Sequence, residues 1–405
     1  MGGSTTLRRR LGNRAPWLKR IYGVYWSARR AYRSTLSSHF PREATYEGSG
    51  GRAWCVGFEW RALSTAAFFC GEDVHVGPRG RMWRHQVPDR ITRVAGAGGL
   101  PMVQVLEKSR WPNEVLRRSI VVPQLVAVHT ELPGDSGALR AQLLTSKTRG
   151  DFRRIRHANF SYEVSDDPAL IREFHARYQA PLVARRFPED GSVAPVEAML
   201  DKLSQGGELV CAYLDGDWVA GVFNLANETS YDLGGLGIRD GDDAVRRKGV
   251  VAALIVRSLE RAVELDYSRA TLGKSLPFLG KGSVWFKAKW GGIVAKDRAT
   301  PDIHMFMDVR HAAVRRMLSA TPVIHAEDDA LVVSKWLMSG DRSVGDTVDD
   351  ARRFPGISRW YVLAEPQTLA AADARLSTNE RIVPIPVTLG GGDPVWLGEA
   401  LRSHT

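Results

Sequence analysis

One run constrains this chain more than any other: Ala270 to Gly291, ATLGKSLPFLGKGSVWFKAKWG. A short β-like stretch, Ala270 to Leu272, follows a long helical pattern and gives way to glycine, proline and lysine. The run closes on Trp285-Phe286-Lys287-Ala288-Lys289-Trp290-Gly291-Gly292. Read as an extended segment, it puts Trp285, Lys287 and Lys289 on one side and Phe286, Ala288 and Trp290 on the other. Two ammonium groups then project together while the rings anchor the strand. Such a pair suits a phosphate, a carboxylate or a developing oxyanion; solvated lysines on a half-exposed strand are the equal alternative.

The 405 residues suffice for two or three domains, and 44% apolar residues give each a core. No apolar run approaches the ~18 residues of a membrane span, so a soluble, cytoplasmic protein is expected, either free or peripheral to the inner face of a membrane. Cys55, Cys70 and Cys211 are widely spaced, with no CxxC pair, and His304 and His311 lie outside any HxH or HExxH pattern. A disulfide framework and a metal site are therefore not expected.

The net charge of +11 belongs to one end. Residues 1–42 hold ten basic residues and no acidic one, leaving 46 basic against 45 acidic in the body. Within this arm Trp17, Leu18, Ile21, Tyr22, Tyr25, Trp26, Tyr32 and Leu36 form a helical stripe among arginines. An anionic membrane surface, an RNA backbone such as tRNA, or packing on the body would each suit it. Its composition also has transit-peptide character, and Met1 to Thr6 formally fits a myristoylation pattern.

Arg42 to Gly51 reads as a polar, glycine-rich connector and residues 52–132 as mixed α/β, with Gly77 to Gly80 as a turn or loop and Val121 to His129 as a buried strand. Leu139 to Phe160 is helical and basic, carrying Lys147, Arg149, Arg153, Arg156 and His157. Ser161 to Val164 is a strand; Asp166-Asp167-Pro168 opens a helix to about Tyr178, and Pro195 to Leu203 is another. Glu208 to Leu214 and Trp218 to Leu225 form a hairpin around Asp215-Gly216-Asp217, and Tyr231 to Leu236 follows as a strand. Arg246-Arg247-Lys248-Gly249 then opens a helix to about Asp266, with Val251, Leu254, Ile255, Leu259, Ala262 and Val263 as its stripe. A basic, glycine-containing helix start is a ready anion site. Gly273-Lys274-Ser275 imitates the end of a P-loop, but Ser268 stands where its glycine is needed. Residues 311–405 read as a small α/β appendage, a lid or dimer surface, with Ser339 to Asp350 as a loop and the glycine-rich Leu389 to Pro394 as a flexible tail.

These pieces resemble the GNAT-fold acyltransferases, in particular the Fem-like branch of tandem GNAT units. Ser146-Lys147-Thr148-Arg149 with Arg153 to Arg156 is similar to that branch's basic helix. Gly216 with Val219-Ala220-Gly221 looks like its hairpin. Gly273-Lys274-Ser275, Pro277-Phe278 and Phe286 to Gly291 resemble its closing run. The likeness spans roughly residues 115–310. It implies two GNAT-like mixed sheets flanked by helices, covering 43–138 and 139–310. It also implies an acyl-CoA donor, acetyl-CoA or another, and an amine acceptor such as an amino sugar or cell-envelope precursor. An aminoacyl-tRNA donor, or a non-catalytic binding module, is the alternative. Arg246, Arg247, Lys248, Gly249, Val250 and Val251 stand at the coenzyme loop, with Val251 where relatives carry a small residue. Lys281 stands where many relatives carry an acid. Lys287 matches the branch's lysine and is the candidate for stabilising charge at the reacting centre. Asp232 is the candidate proton acceptor, or else the partner of a nearby cation; Tyr231, beside it, is a catalytic candidate that also reads as core. Arg153, Lys274, Ser275 and Lys289 are the candidate acceptor-binding residues.

Overall fold

A computed structural model describes residues 42–57, 66, 69–70, 73–82, 84–104, 111–186, 193–280, 282–339, 344–390 and 393–404. The basic arm with its helical stripe and amino-terminal signals, Lys281, and Gly391-Gly392 of the tail lie outside the described residues. The chain divides into two compact units. One comprises residues up to 119 with 304–308 and 396–398; the other comprises 120–303, 309–395 and 399–405.

The smaller unit holds strands in the order 304–306, 100–103, 51–56, 42–48, 75–81. The Val87–Gly96 helix packs Val87, Ile91 and Ala95 against Trp54, Val56 and Val103. Gly77 to Gly80, expected as a turn, lies inside the strand His75–Arg81. As an edge strand it tolerates Pro78, whose missing N–H costs no ladder bond on its open side.

The larger unit holds a seven-stranded sheet in the order Ile293–Lys296, Val126–Glu131, Arg269–Ser275, Tyr231–Ile238, Asp217–Ala226, Gly207–Leu214, Ser161–Ser165. The expected hairpin is present. Asp215 and Gly216 both take positive φ, 53° and 85°, which matches the right-handed twist of the flanking strands. Alternate residues face opposite sides. Val210, Ala212 and Val222 meet the Val250–Glu264 helix, whereas Leu209, Cys211 and Phe223 meet Ile171, Phe174 and Tyr178. The second of these faces is covered by the helix Pro168–Phe174, a π-helical turn His175–Gln179 and the helix Val196–Leu203, which adds Met199.

Two single elements expected from the sequence are each broken in two. Leu139 to Phe160 is the helices Ser136–Leu143 and Arg149–Ala158. Between them the buried Thr148 hydroxyl donates to the Leu143 carbonyl and accepts from the Thr145 N–H, at 2.5 and 2.9 Å. Val121 to His129 is the strands Ser119–Pro123 and Val126–Glu131, interrupted at Gln124-Leu125.

Residues 309–395 belong to the larger unit and add strands Val323–Glu327, Ala330–Trp336, Ile357–Ala364 and Ile382–Pro386. The expected loop Ser339 to Asp350 is corrected, for residues 344–350, to the start of the helix Val344–Arg353. Its polar composition masks a buried face of Val344, Thr347, Val348 and Ala351. Lys335, buried beneath it, donates to the Thr347 hydroxyl at 2.8 Å.

On the same helix burial pushes the Asp350 carboxyl up to about 6, against the pull of Lys335 and Arg353. A raised folded value means that the folded chain holds this proton more tightly than the unfolded chain between about pH 4 and 6. Stability from this group is therefore present below that window and lost as pH rises through it. Asp350→Asn is expected to flatten this fall, and to be more stable than the parent above pH 6, when urea midpoints are compared from pH 4 to 7.

Candidate active site

Tyr231–Ile238 and Arg269–Ser275 are the one parallel pair among the described strands of the seven-stranded sheet, and the Val250–Glu264 helix connects them. They pair at two positions, Tyr231 with Ala270 and Asp232 with Thr271. Beyond these both strands slip against their antiparallel neighbours, one between Leu233 and Leu236 and the other between Thr271 and Lys274. The slips contain Gly234, Gly235 and Gly273; Gly273 has φ +74°, a conformation that glycine adopts without strain. The ladder between the pair stops there and the strands part. The helix start and the opening lie together at the carboxyl end of adjacent parallel strands, where α/β sheets take ligands.

Gly249, at φ +93°, is the N-cap of the Val250–Glu264 helix. The first intrahelical bond runs from the Ala253 N–H to the Gly249 carbonyl at 3.0 Å. The N–H groups of Val250, Val251 and Ala252 lie ahead of it and have no carbonyl one turn back to bond. No acidic residue sits in this first turn. Val251 packs against two apolar clusters, so its branched side chain leans on the core. Arg246 is held by Asp243 at 2.8 Å, and this guanidinium keeps the Asp243 carboxyl below its ordinary range. Arg247 and Lys248 are exposed. A Cβ on Gly249 would stand 3.1 Å from Arg154 Cβ, so the Arg149–Ala158 helix borders this loop and carries the exposed Arg153 beside it.

Lys287 lies on the helix Ser283–Ala288, which corrects the extended reading of Trp285 to Gly292. The two apolar pairs sit at i, i+4 and enter different cores. Val284 and Ala288 pack with Val333, Phe354 and Trp360, whereas Phe286 and Trp290 pack with Tyr231 and Leu259. The helix closes at Gly291, φ +77°. The three residues expected on one side accordingly diverge. Trp285 packs edge-on against Phe354 under the Arg353 guanidinium. Lys289 donates to the buried Asp151 at 2.8 Å and lies over the Phe286 and Trp290 rings. Lys287 Nζ donates to the Lys274 carbonyl at 2.8 Å and to Ser275 Oγ at 2.9 Å. The same Nζ lies 3.7 Å from the point a Cβ on Gly273 would occupy, and the Leu233 carbonyl oxygen lies 3.5 Å from it. Lys287, Ser275 and Gly273 thus meet at the opening. The Lys274 ammonium is turned to Asp297 at 2.9 Å instead. Burial raises Asp297, but Lys274, the Ala299 N–H and the Thr300 hydroxyl outweigh it and hold the carboxyl below its usual range.

Residues 145–278 match the family described as acetyltransferase (GNAT) domain. They form a GNAT domain. No curated protein matches the chain. Solved structures similar to it include FemX, at 10% identity over 55% of this chain and 76% of that one, TM-score 0.36. A domain named as the carboxyl-terminal part of a lysylphosphatidylglycerol synthetase from Agrobacterium fabrum is 14% identical over 68% and 83%, TM-score 0.32. A GCN5-related N-acetyltransferase from Kribbella flavida is 17% identical over 55% and 75%, TM-score 0.25. At such scores these likenesses carry no activity or substrate to this chain.

Within the GNAT domain the other two candidates lie at the closed end of the parallel pair. Tyr231 is fully buried; its hydroxyl donates to Glu208 at 2.6 Å and accepts from Asn224 at 3.0 Å. Burial and the Glu208 carboxylate push this phenol far above its ordinary range. Arg261 grips Glu208 through two contacts of 3.1 Å, and Asn224 also donates to Ser258 at 2.9 Å. This polar network was not foreseen, because its members are scattered from 208 to 261 without a spacing signal. Asp232 accepts from Asn227 and from Ser230, so both its oxygens serve the turn before the strand. Among the described residues no group of three or more His, Cys, Asp or Glu could hold a metal, and no helix is long and apolar enough to cross a membrane.

Asp151 ties Lys289 and Arg154 together, and so joins the Lys287 helix to the helix bordering Gly249. Asp151→Ala strands the Lys289 ammonium, and removing one partner of a buried pair costs about 3 kcal/mol. A corresponding fall in the urea midpoint is the expected result.

Proposed function

We propose that this chain transfers an acyl group from a coenzyme A thioester, acetyl-CoA or a longer one, to an amine acceptor. A polar amine such as an amino sugar or cell-envelope precursor is the acceptor class we favour. The carrying observation is the parting of the parallel pair, with a helix N-terminus and the Lys287 ammonium at the same end. Three first-turn N–H groups without a competing carboxylate, flanked by Arg246, Arg247 and Lys248, fit a diphosphate. The donor supplies an activated carbonyl when bound. Lys287, held by the Lys274 carbonyl and Ser275, is the residue placed to stabilise negative charge developing on that oxygen. Arg153 and Ser275 line the approaches. Asp232 and Tyr231 act in this reading as anchors of the closed end, with Lys274 and Lys289 as ion-pair partners of Asp297 and Asp151.

One observation favours a second donor. Arg149, Arg153, Arg156 and His157 are all exposed on the helix that borders Gly249, giving a basic approach suited to an aminoacyl-tRNA. Calorimetric titration of the full chain with CoA, acetyl-CoA and a charged tRNA at two salt concentrations separates the two. Micromolar CoA binding with weak salt dependence supports the first; RNA binding that collapses with salt, without CoA binding, overturns it. Lys287→Ala is expected to lower kcat by about a hundredfold, in the range for removing one oxyanion donor, while CoA affinity changes less than about twofold. Gly249→Val is expected to do the reverse, weakening CoA at least about tenfold, because its side chain meets Arg154 at positive φ.

A further inference from the structure

The π-helical turn His175–Gln179 lies against the slipped segment of Tyr231–Ile238. A π turn carries one more residue than an α turn and commonly marks a functional site. Here it presses backbone and side chain into a strand that has no Cβ atoms to resist. A Cβ on Gly237 would stand 2.7 Å from the Gln179 backbone nitrogen, and one on Gly235 would collide with the Gln179 carboxamide. That carboxamide therefore rests on the strand two residues beyond Leu233, where the parallel pair has parted. Its oxygen Oε1 is buried with no hydrogen-bond partner among the described residues. An amide oxygen left in this way costs about 1–3 kcal/mol unless something donates to it.

We propose that Gln179 Oε1 binds the acceptor amine and directs its lone pair into the opening. This rests on the acyltransferase reading above. Lys287 and Gln179 stand on opposite faces of the sheet: Phe286, beside Lys287, packs on the face of the Val250–Glu264 helix, and Tyr178, beside Gln179, packs on the other with Phe174. An oxygen gaining charge and a nitrogen donating its lone pair thus have separate partners. As the nitrogen adds to the acyl carbon a C–N bond forms, the C–S bond breaks, and the nitrogen's surplus proton leaves on the departing thiolate. A neutral amide oxygen takes one N–H and favours the ammonium form far less than a carboxylate there, which would hold the amine protonated and unreactive. Asp232 does not compete for this task, since Asn227 and Ser230 occupy its oxygens.

Hydroxylamine, small enough to enter whatever the natural acceptor is, serves as probe with acetyl-CoA, read as acetohydroxamate and free thiol. Gln179→Leu is expected to raise the KM for hydroxylamine roughly tenfold, the loss of one neutral hydrogen bond, with the KM for acetyl-CoA within about twofold. Gln179→Glu, nearly isosteric, is expected to move the pH midpoint of kcat at saturating hydroxylamine alkaline by about one unit. In the CoA dead-end complex, adding hydroxylamine should shift the Gln179 side-chain amide resonance and leave donor-loop resonances in place. Unchanged hydroxylamine KM and pH midpoint in an active wild type overturn the proposal and leave the acyltransferase reading standing. So does a wild type that binds acetyl-CoA but forms no hydroxamate and shows no Gln179 shift. Absence of any acetyl-CoA binding overturns both.

Discussion

Backbone hydrogen bonds between neighbouring strands are hard to forgo, because each unpaired N–H or carbonyl in a sheet interior costs a desolvated polar group. The GNAT domain forgoes them at one place. Two ladder positions hold Tyr231–Ile238 beside Arg269–Ser275, and past them the backbones separate under compensating slips on both outer sides. Much else at this end follows from that interruption. The buried Tyr231–Glu208–Arg261 network locks the closed end, so the divergence begins at a fixed residue. The connecting helix starts beside the open end because the pair is parallel.

The charged residues at this end are organised by what they must not do. Lysines and arginines crowd the region, and a free cluster would repel any further cation and bind anions without discrimination. Asp151 takes Lys289 and Arg154, Asp297 takes Lys274, and Asp243 takes Arg246. Lys287 is aimed by a carbonyl and a hydroxyl, those of Lys274 and Ser275, which fix its direction at the opening.

How much of this was written openly in the sequence varies with element length and contact range. The fifteen-residue helix 250–264 repeats its apolar residues often enough to be read directly, and the Asp215-Gly216 turn announces itself by composition. The stretch 283–288 is too brief for a period of 3.6 to be told from a period of 2, so its lysines were placed on one side when the helix separates them. The helix 344–353 shows mostly charge, and its buried Thr347 and Ala351 resemble surface residues in a linear reading. At the site, glycine and lysine patterns pointed to Gly249 and Lys287. Gln179 and Glu208 gave no signal, since each takes its meaning from residues dozens of positions away and, for Gln179, from a π turn.

Ser283–Ala288 is a helix of six residues whose apolar positions are shared between two cores. It has too few intrahelical bonds to persist alone in water. Its geometry is therefore borrowed from residues 331–364 on one side and from the connecting helix on the other. A fragment trimmed at residue 310 would expose Val284, Ala288 and Val294 and release one of those two supports. The smallest piece of this chain able to hold Lys287 still thus extends far past the end of the family match, through the strands that follow.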